Sequence, residues 1–128
     1  MMKLAAKITL LMMLTFLLLH SSCKEDEDYD DNTFGVNAQF TIDPETGSTS
    51  TTFTFDATPT QTQGDYETIT YEWNFGDGTQ LINANKTETH QYNSTGQYNV
   101  LLVVKIYRSG NSGSAGDEIT KTLTVSGV

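Results

Sequence analysis

Only one cysteine, Cys23, stands in the chain, so no intrachain disulfide can form and the fold must be held by packing. Histidine is nearly as scarce, with His20 and His90 alone. That leaves too few nitrogen and sulfur ligands for a four-coordinate zinc site. Basic residues are few as well: seven Lys and Arg against sixteen Asp and Glu give a formal charge of −9. Such a balance repels nucleic acid and anionic lipid headgroups, and excludes both as electrostatic partners. From Phe34 onward no segment shows the 3.6-residue apolar spacing of an amphipathic helix.

What is present begins with "MMKLAAKITLLMMLTFLLLHSSC", residues 1–23. Lys3 and Lys7 precede an uncharged apolar run, Ile8 to Leu19, and the small residues Ser21 and Ser22 follow it. A membrane-spanning helix needs roughly 20 apolar residues, so this shorter run reads as the core of an export signal. Small residues ending in a cysteine resemble the bacterial lipobox, whose cysteine is acylated and becomes the mature N-terminus. His20 departs from that pattern, which usually has leucine there. The resemblance implies a lipoprotein signal peptide over 1–22, lipidation of Cys23, and membrane attachment through the lipid anchor.

Residues 24–33, "KEDEDYDDNT", are acidic at six of ten positions and lack any large aliphatic side chain. They cannot bury enough apolar surface to fold, so residues 23–33 read as a lipidated cysteine with an extended, self-repelling tether. Its reach is at most about 35 Å. A lysine and then acids after the cysteine resemble the signal that sends lipoproteins to the outer face of the outer membrane in some Gram-negative bacteria. This implies an outer membrane lipoprotein exposed on the cell surface. Without Lys3 and Lys7 the charge becomes −11, of which the tether holds −5, leaving −6 on residues 34–128.

Residues 34–128 alternate with period two, the signature of half-buried strands. One face of "VNAQFTI" carries Val36, Ala38, Phe40 and Ile42, and "TTFTFDA" presents Phe53 and Phe55. Ile69, Tyr71, Trp73 and Phe75 share a face, as do Tyr98, Val100, Leu102, Val104 and Ile106, while Leu101 and Val103 make the opposite face of the latter run half apolar. "EITKTLTV" closes with Ile119, Leu123 and Val125, and weaker strands are predicted at 80–83 and 86–90. About seven strands separated by turn-rich pieces predict a two-sheet antiparallel sandwich.

"YEWNFGDGTQ", residues 71–80, runs one of these strands into Gly76-Asp77-Gly78. Glycines that admit positive φ, around an aspartate able to bond its own backbone, suit a turn between strands. Phosphate cradles instead lead into a helix, and no helical pattern follows here. The stretch closely resembles the Trp-Asp-Phe-Gly-Asp-Gly core of the PKD domain family, with Asn74 in place of the usual aspartate. "FTFDAT" at 53–58 and "HQYNSTGQYNVLLVV" at 90–104 resemble the family's Phe-Asp-Ala-Ser and His-x-Tyr…Gly-x-Tyr-x-Val segments, in the same order. The resemblance spans roughly residues 36–127. It implies an all-β, immunoglobulin-like β-sandwich in which Trp73, Phe75, Gly76, Asp77, Gly78, His90, Tyr92, Gly96, Tyr98 and Val100 are structural motif positions. Tyr98, two residues before Val100, is placed like a tyrosine corner, and Val100 with Phe53 or Phe55 would pack where antibody domains have a disulfide.

No catalytic constellation is legible. A triad needs a nucleophile and an oriented base, and His90, the single histidine after the signal, falls at a predicted strand end where a ring nitrogen can satisfy a backbone group. The expectation is a non-enzyme without cofactor or metal. Calcium is the alternative, at Asp56, Asp65 and Asp77 near predicted loops, although the ion wants six to eight oxygens and no Asp-x-Asp spacing occurs outside the tether. Tyr66 and Tyr107 fall outside the core pattern, in loops at one end of the sandwich, and are the candidate ligand contacts. That end also carries the tether. The functional expectation is a lipid-anchored cell-surface module for protein–protein or protein–carbohydrate contact. The alternatives are a structural spacer or accessory subunit of an envelope glycan-handling complex and, after it, a calcium-binding adhesion module.

Overall fold

A computed structural model describes residues 34–127. The expected signal peptide (1–22), the acylated Cys23 and the tether (23–33) lie outside the described residues. Ten strands follow one another: β1 (Gly35–Asn37), β2 (Thr41–Asp43), β3 (Thr46–Ser48), β4 (Phe53–Asp56), β5 (Gln61–Gln63), β6 (Thr68–Asn74), β7 (Gln80–Ala84), β8 (Thr87–His90), β9 (Gly96–Tyr107) and β10 (Ser114–Ser126). A single 3-10 turn at Ser109–Asn111 separates the last two. A five-stranded sheet, in the order β3-β10-β9-β6-β7, faces a three-stranded sheet, β2-β4-β8, and β1 pairs with β5 beside them. Only β3 with β10 runs parallel among the described pairings.

Alternation explains which side of each strand is covered. In β9, Val100, Leu102, Val104 and Ile106 are buried and the residues between them are not. Phe53 and Phe55 of β4 come from the opposite sheet into one cluster with Val100, Leu102 and Val104. Trp73, fully enclosed, takes the edge of Phe40 at 5.2 Å and lies 6.1 Å from Phe55, so its indole touches both layers. Its Nε1–H donates to the Asn85 carbonyl at 3.1 Å, which satisfies its one polar atom. No polar or charged residue is fully buried among the described residues.

The expected first strand, 36–42, is two strands. Its chain leaves β5 after Asn37 and joins β4 at Thr41, so Ala38–Phe40 crosses between sheets without a ladder partner. Buried backbone polar groups need partners, and here side chains provide them. Asp117 Oδ2 accepts from Ala38 N at 2.9 Å, Thr60 Oγ1 accepts from Gln39 N at 3.1 Å and donates to Gln39 O at 2.8 Å, and Lys121 Nζ donates to Phe40 O. Lys121 also sits 5.1 Å over the Phe40 ring. Asp117 and Lys121 pair with Val104 and Val100, and so occupy inward positions of β10. Their charge at core-facing sites is therefore a requirement of the crossover.

The split accounts for one of the three strands beyond the expected seven; β3 and β5 are the others. Both are three-residue edge segments of Thr, Gly, Ser and Gln, ordered by pairing with β10 and β1 and not by an apolar face of their own. At the other edge, the β6–β7 register slips between Tyr71 and Trp73, with Asn83 at φ 53. Such a bulge bends an edge strand away from further pairing.

Trp73→Ala is expected to cost about 3–5 kcal/mol, the range for large aromatic truncations in a core. Chemical denaturation followed by circular dichroism would measure it, and an unchanged midpoint would show that the indole does not join the sheets.

Candidate functional site

The Gly-Asp-Gly segment is a five-residue loop from Phe75 to Thr79, closed by a bond from Phe75 N to Thr79 O at 3.0 Å. Two acidic or amide side chains shape it locally. Asn74 Oδ1 accepts from Gly76 N at 3.0 Å, and Asp77 Oδ1 accepts from Thr79 N at 2.9 Å. Gly76 and Gly78 hold φ of 81° and 98°. At Gly76 glycine is also demanded by space, because a Cβ there would stand 2.7 Å from the Asn99 carbonyl oxygen.

The other oxygen of Asp77 reaches across to β8, where His90 Nε2 lies 2.7 Å away. An ionised carboxylate can only accept, so the ring nitrogen donates. Burial pushes the Asp77 carboxyl up, but the hydrogen bonds from His90 and Thr79 outweigh it and hold the group below the usual carboxylate range. The expected backbone partner of His90 is thus replaced by a carboxylate thirteen residues upstream. The imidazole lies flat on Phe75 at 4.3 Å and meets Tyr92 edge-on at 4.7 Å. Tyr92 is buried, donates to Phe75 O at 2.9 Å and stacks on Tyr98 at 4.1 Å. Burial pushes its phenol far up, so it stays a neutral donor. Tyr98 O–H closes the tyrosine corner on Ser94 O at 2.8 Å, just after Gly96 opens β9. An aspartate–histidine pair is two members of a triad, yet no hydroxyl or thiol is hydrogen-bonded to this imidazole among the described residues. Its geometry pins a loop to the opposite sheet.

Tyr66 and Tyr107 are both exposed, at 41% and 39%. They do lie near one end: Thr68 pairs with Tyr107, and Glu67 N bonds Tyr107 O at 2.8 Å. No stacked or edge-on contact joins their two rings among the described residues. Tyr66 neighbours Tyr71, whose phenol is raised first by burial and then by Tyr66 itself. Tyr107, the last residue of β9, lies on the outer sheet face near Lys105, which is held protonated by Glu72 at 3.1 Å. Phe34 is at the same end, under the Arg108 guanidinium at 4.3 Å.

The three aspartates considered for calcium are not brought together. Asp65 precedes β6 and Asp77 follows it, so a seven-residue strand separates them. Asp56 ends β4 opposite Thr87, whereas the His90 partner of Asp77 stands at the start of β4, opposite Phe53. Asp56 Oδ1 is engaged by Thr58 N, Thr58 Oγ1 and Thr87 Oγ1 at 2.9, 2.6 and 3.0 Å. The side-chain and backbone bonds from Thr58 hold its carboxyl low. No group of three or more His, Cys, Asp or Glu is arranged to hold a metal among the described residues.

Two predictions follow from the loop. Gly76→Ala is expected to cost about 1–3 kcal/mol from backbone strain alone, more with the Asn99 contact, and denaturant midpoints would register it. The lowered Asp77 pKa stabilises the fold above the ordinary value of 3.8, and that contribution is lost as pH falls through the folded value. Wild type and Asp77→Asn should therefore differ in melting temperature at neutral pH and converge under strongly acidic conditions.

The PKD domain family matches residues 30–125 of the chain. Among solved structures, one described for the promiscuous specificity of carbohydrate-binding modules from the β-sandwich superfamily is 30% identical with a TM-score of 0.61. That match covers 73% of this chain and 35% of the other, so this chain spans about a third of that neighbour's length. The PKD1 domain of Vibrio anguillarum Epp is 22% identical with a TM-score of 0.53, over 73% of this chain and 96% of the other. No curated protein sequence gives a match. With most of its length, the Gly-Asp-Gly loop and the tyrosine corner included, inside the matched range, the chain belongs to the PKD domain family.

Proposed function

We propose that this protein is a non-catalytic contact module, tethered to the outer membrane through an acylated Cys23 and displayed on the cell surface, where it binds protein or carbohydrate. The observation that carries the reading is where polar chemistry sits. Active sites desolvate titratable groups in a cleft, whereas the described core here buries no charged residue and its fully buried phenol, Tyr92, donates to the Phe75 carbonyl. The Asp77 carboxylate and the His90 imidazole, partly covered at the rim of the sandwich, are spent on each other in holding a loop. What remains for partners is the outside of the sandwich. The likeness to a structure described for carbohydrate-binding modules supports carbohydrate as one ligand class. The net charge of −6 on residues 34–128 argues for neutral or basic partners.

The accessory-subunit reading is favoured by one observation, that the matched region makes up only 35% of that neighbour. There the similar unit is accompanied by further chain, and in this reading the unit here likewise works beside an envelope partner.

Expressed in a Gram-negative host, the wild-type chain should incorporate labelled palmitate and be removed from intact cells by added protease, while Cys23→Ala should take up no label. On paired glycan and protein arrays it should retain ligands without altering them. A wild-type chain that stays unlabelled and protected, or that turns over a retained ligand, contradicts the proposal.

A further inference from the structure

The outer face of the five-stranded sheet carries a shallow cleft beside the Gly-Asp-Gly loop, lined by Asn74, Gly76, Gly78, Asn99, Leu101 and Thr120. Register puts its side chains on one surface: Asn74 pairs with Leu101 across β6–β9, and Leu101 with Thr120 across β9–β10. Each asparagine has its carboxamide oxygen occupied. Asn74 Oδ1 accepts from Gly76 N at 3.0 Å, and Asn99 Oδ1 accepts from Thr122 Oγ1 at 3.0 Å. The Gly76 N–H can only donate and so fixes which way the Asn74 amide is turned, and Asn99 turns its oxygen to the Thr122 hydroxyl. These bonds leave the Nδ2–H2 groups of both without a protein partner among the described residues. Two oriented donors, the Thr120 hydroxyl and a half-buried Leu101 therefore surround a floor where Gly76 and Gly78 present no side chain.

We propose that this cleft is a subsite for a neutral sugar ring of a surface or environmental glycan, an inference that rests on the contact-module reading above. The donors match hydroxyl and ring oxygens, which accept. Leu101 offers apolar area to the C–H face of a pyranose. Charge selects against acidic saccharides, because residues 34–128 carry −6 and no basic residue lines the cleft. Position selects against an extended peptide. Such peptides add to a sheet edge through main-chain bonds, whereas at the cleft β6 (Asn74) and β9 (Leu101) are each already paired on both sides.

Titration of the 15N-labelled full chain in detergent with cellohexaose, chitohexaose and mannohexaose tests this. At least one sugar should shift the side-chain amide resonances of Asn74 and Asn99 together. Asn74→Asp and Asn99→Asp keep the accepting oxygen, and hence the loop cap and the Thr122 bond, but turn the free donor into an acceptor. Each should weaken binding about five-fold, the loss of one net hydrogen bond, with the melting temperature retained as the check on folding. Oligogalacturonate should not bind. Shifts confined to other surfaces, or affinities untouched by both variants, overturn the cleft while leaving the contact-module reading intact. If no sugar moves these amides and an uncharged Gly-Ser decapeptide does, the ligand class is wrong. Failure of the module reading itself would show separately, as absence of ligands on the arrays.

Discussion

The structure depends on a continuous file of aromatic rings that bridges two sheets no disulfide connects. Phe40 and Phe55 meet Trp73, Phe55 meets Phe75 at 5.0 Å, Phe75 carries His90, and His90 leads through Tyr92 to Tyr98. Pairs of this kind contribute about 0.5–1.5 kcal/mol each beyond the area they bury. Their second effect is positional. Because His90 is clamped by two rings, its Nε2 has one place to point, and Asp77 and the loop around it are fixed in turn. The loop then sets Gly76 against Asn99 on the outer sheet. Interior packing thus determines the surface that the proposed subsite occupies.

Much of this was legible in the residues. Period-two alternation located the main strands because their inner faces are apolar and their outer faces are not. Trp73 and the Tyr98–Val100 spacing marked the core for the same reason. What escaped the pattern is what depends on neighbours distant in sequence. β3 and β5 carry no apolar face, so only β10 and β1 make them strands. The crossover at Ala38–Phe40 hides inside a perfect alternation, since Ala38 and Phe40 are buried on either path. Its one sequence trace is the charge of Asp117 and Lys121 at inward positions of β10, which reads as an irregularity until the unpaired backbone is seen.

The candidate site was less legible. His90 gave its strand-end position but not its partner, because thirteen residues and a change of sheet separate it from Asp77. Tyr66 and Tyr107 read in the sequence as rings outside the core pattern, and both are exposed, with alternation in β9 carrying Tyr107 to the outer face. Asn99 and Thr120 gave no signal, being polar residues on outward positions like many others. Their register with Asn74 and Leu101 is what assembles them.

The single tryptophan allows the central claim to be tested in the unmodified protein. In the folded chain, its fluorescence should be blue-shifted from that of indole in water and shielded from acrylamide, and both properties should vanish together in one cooperative unfolding transition. Water-like emission and free quenching under native conditions would contradict an indole enclosed between two sheets, and with it the positioning of everything built on that contact.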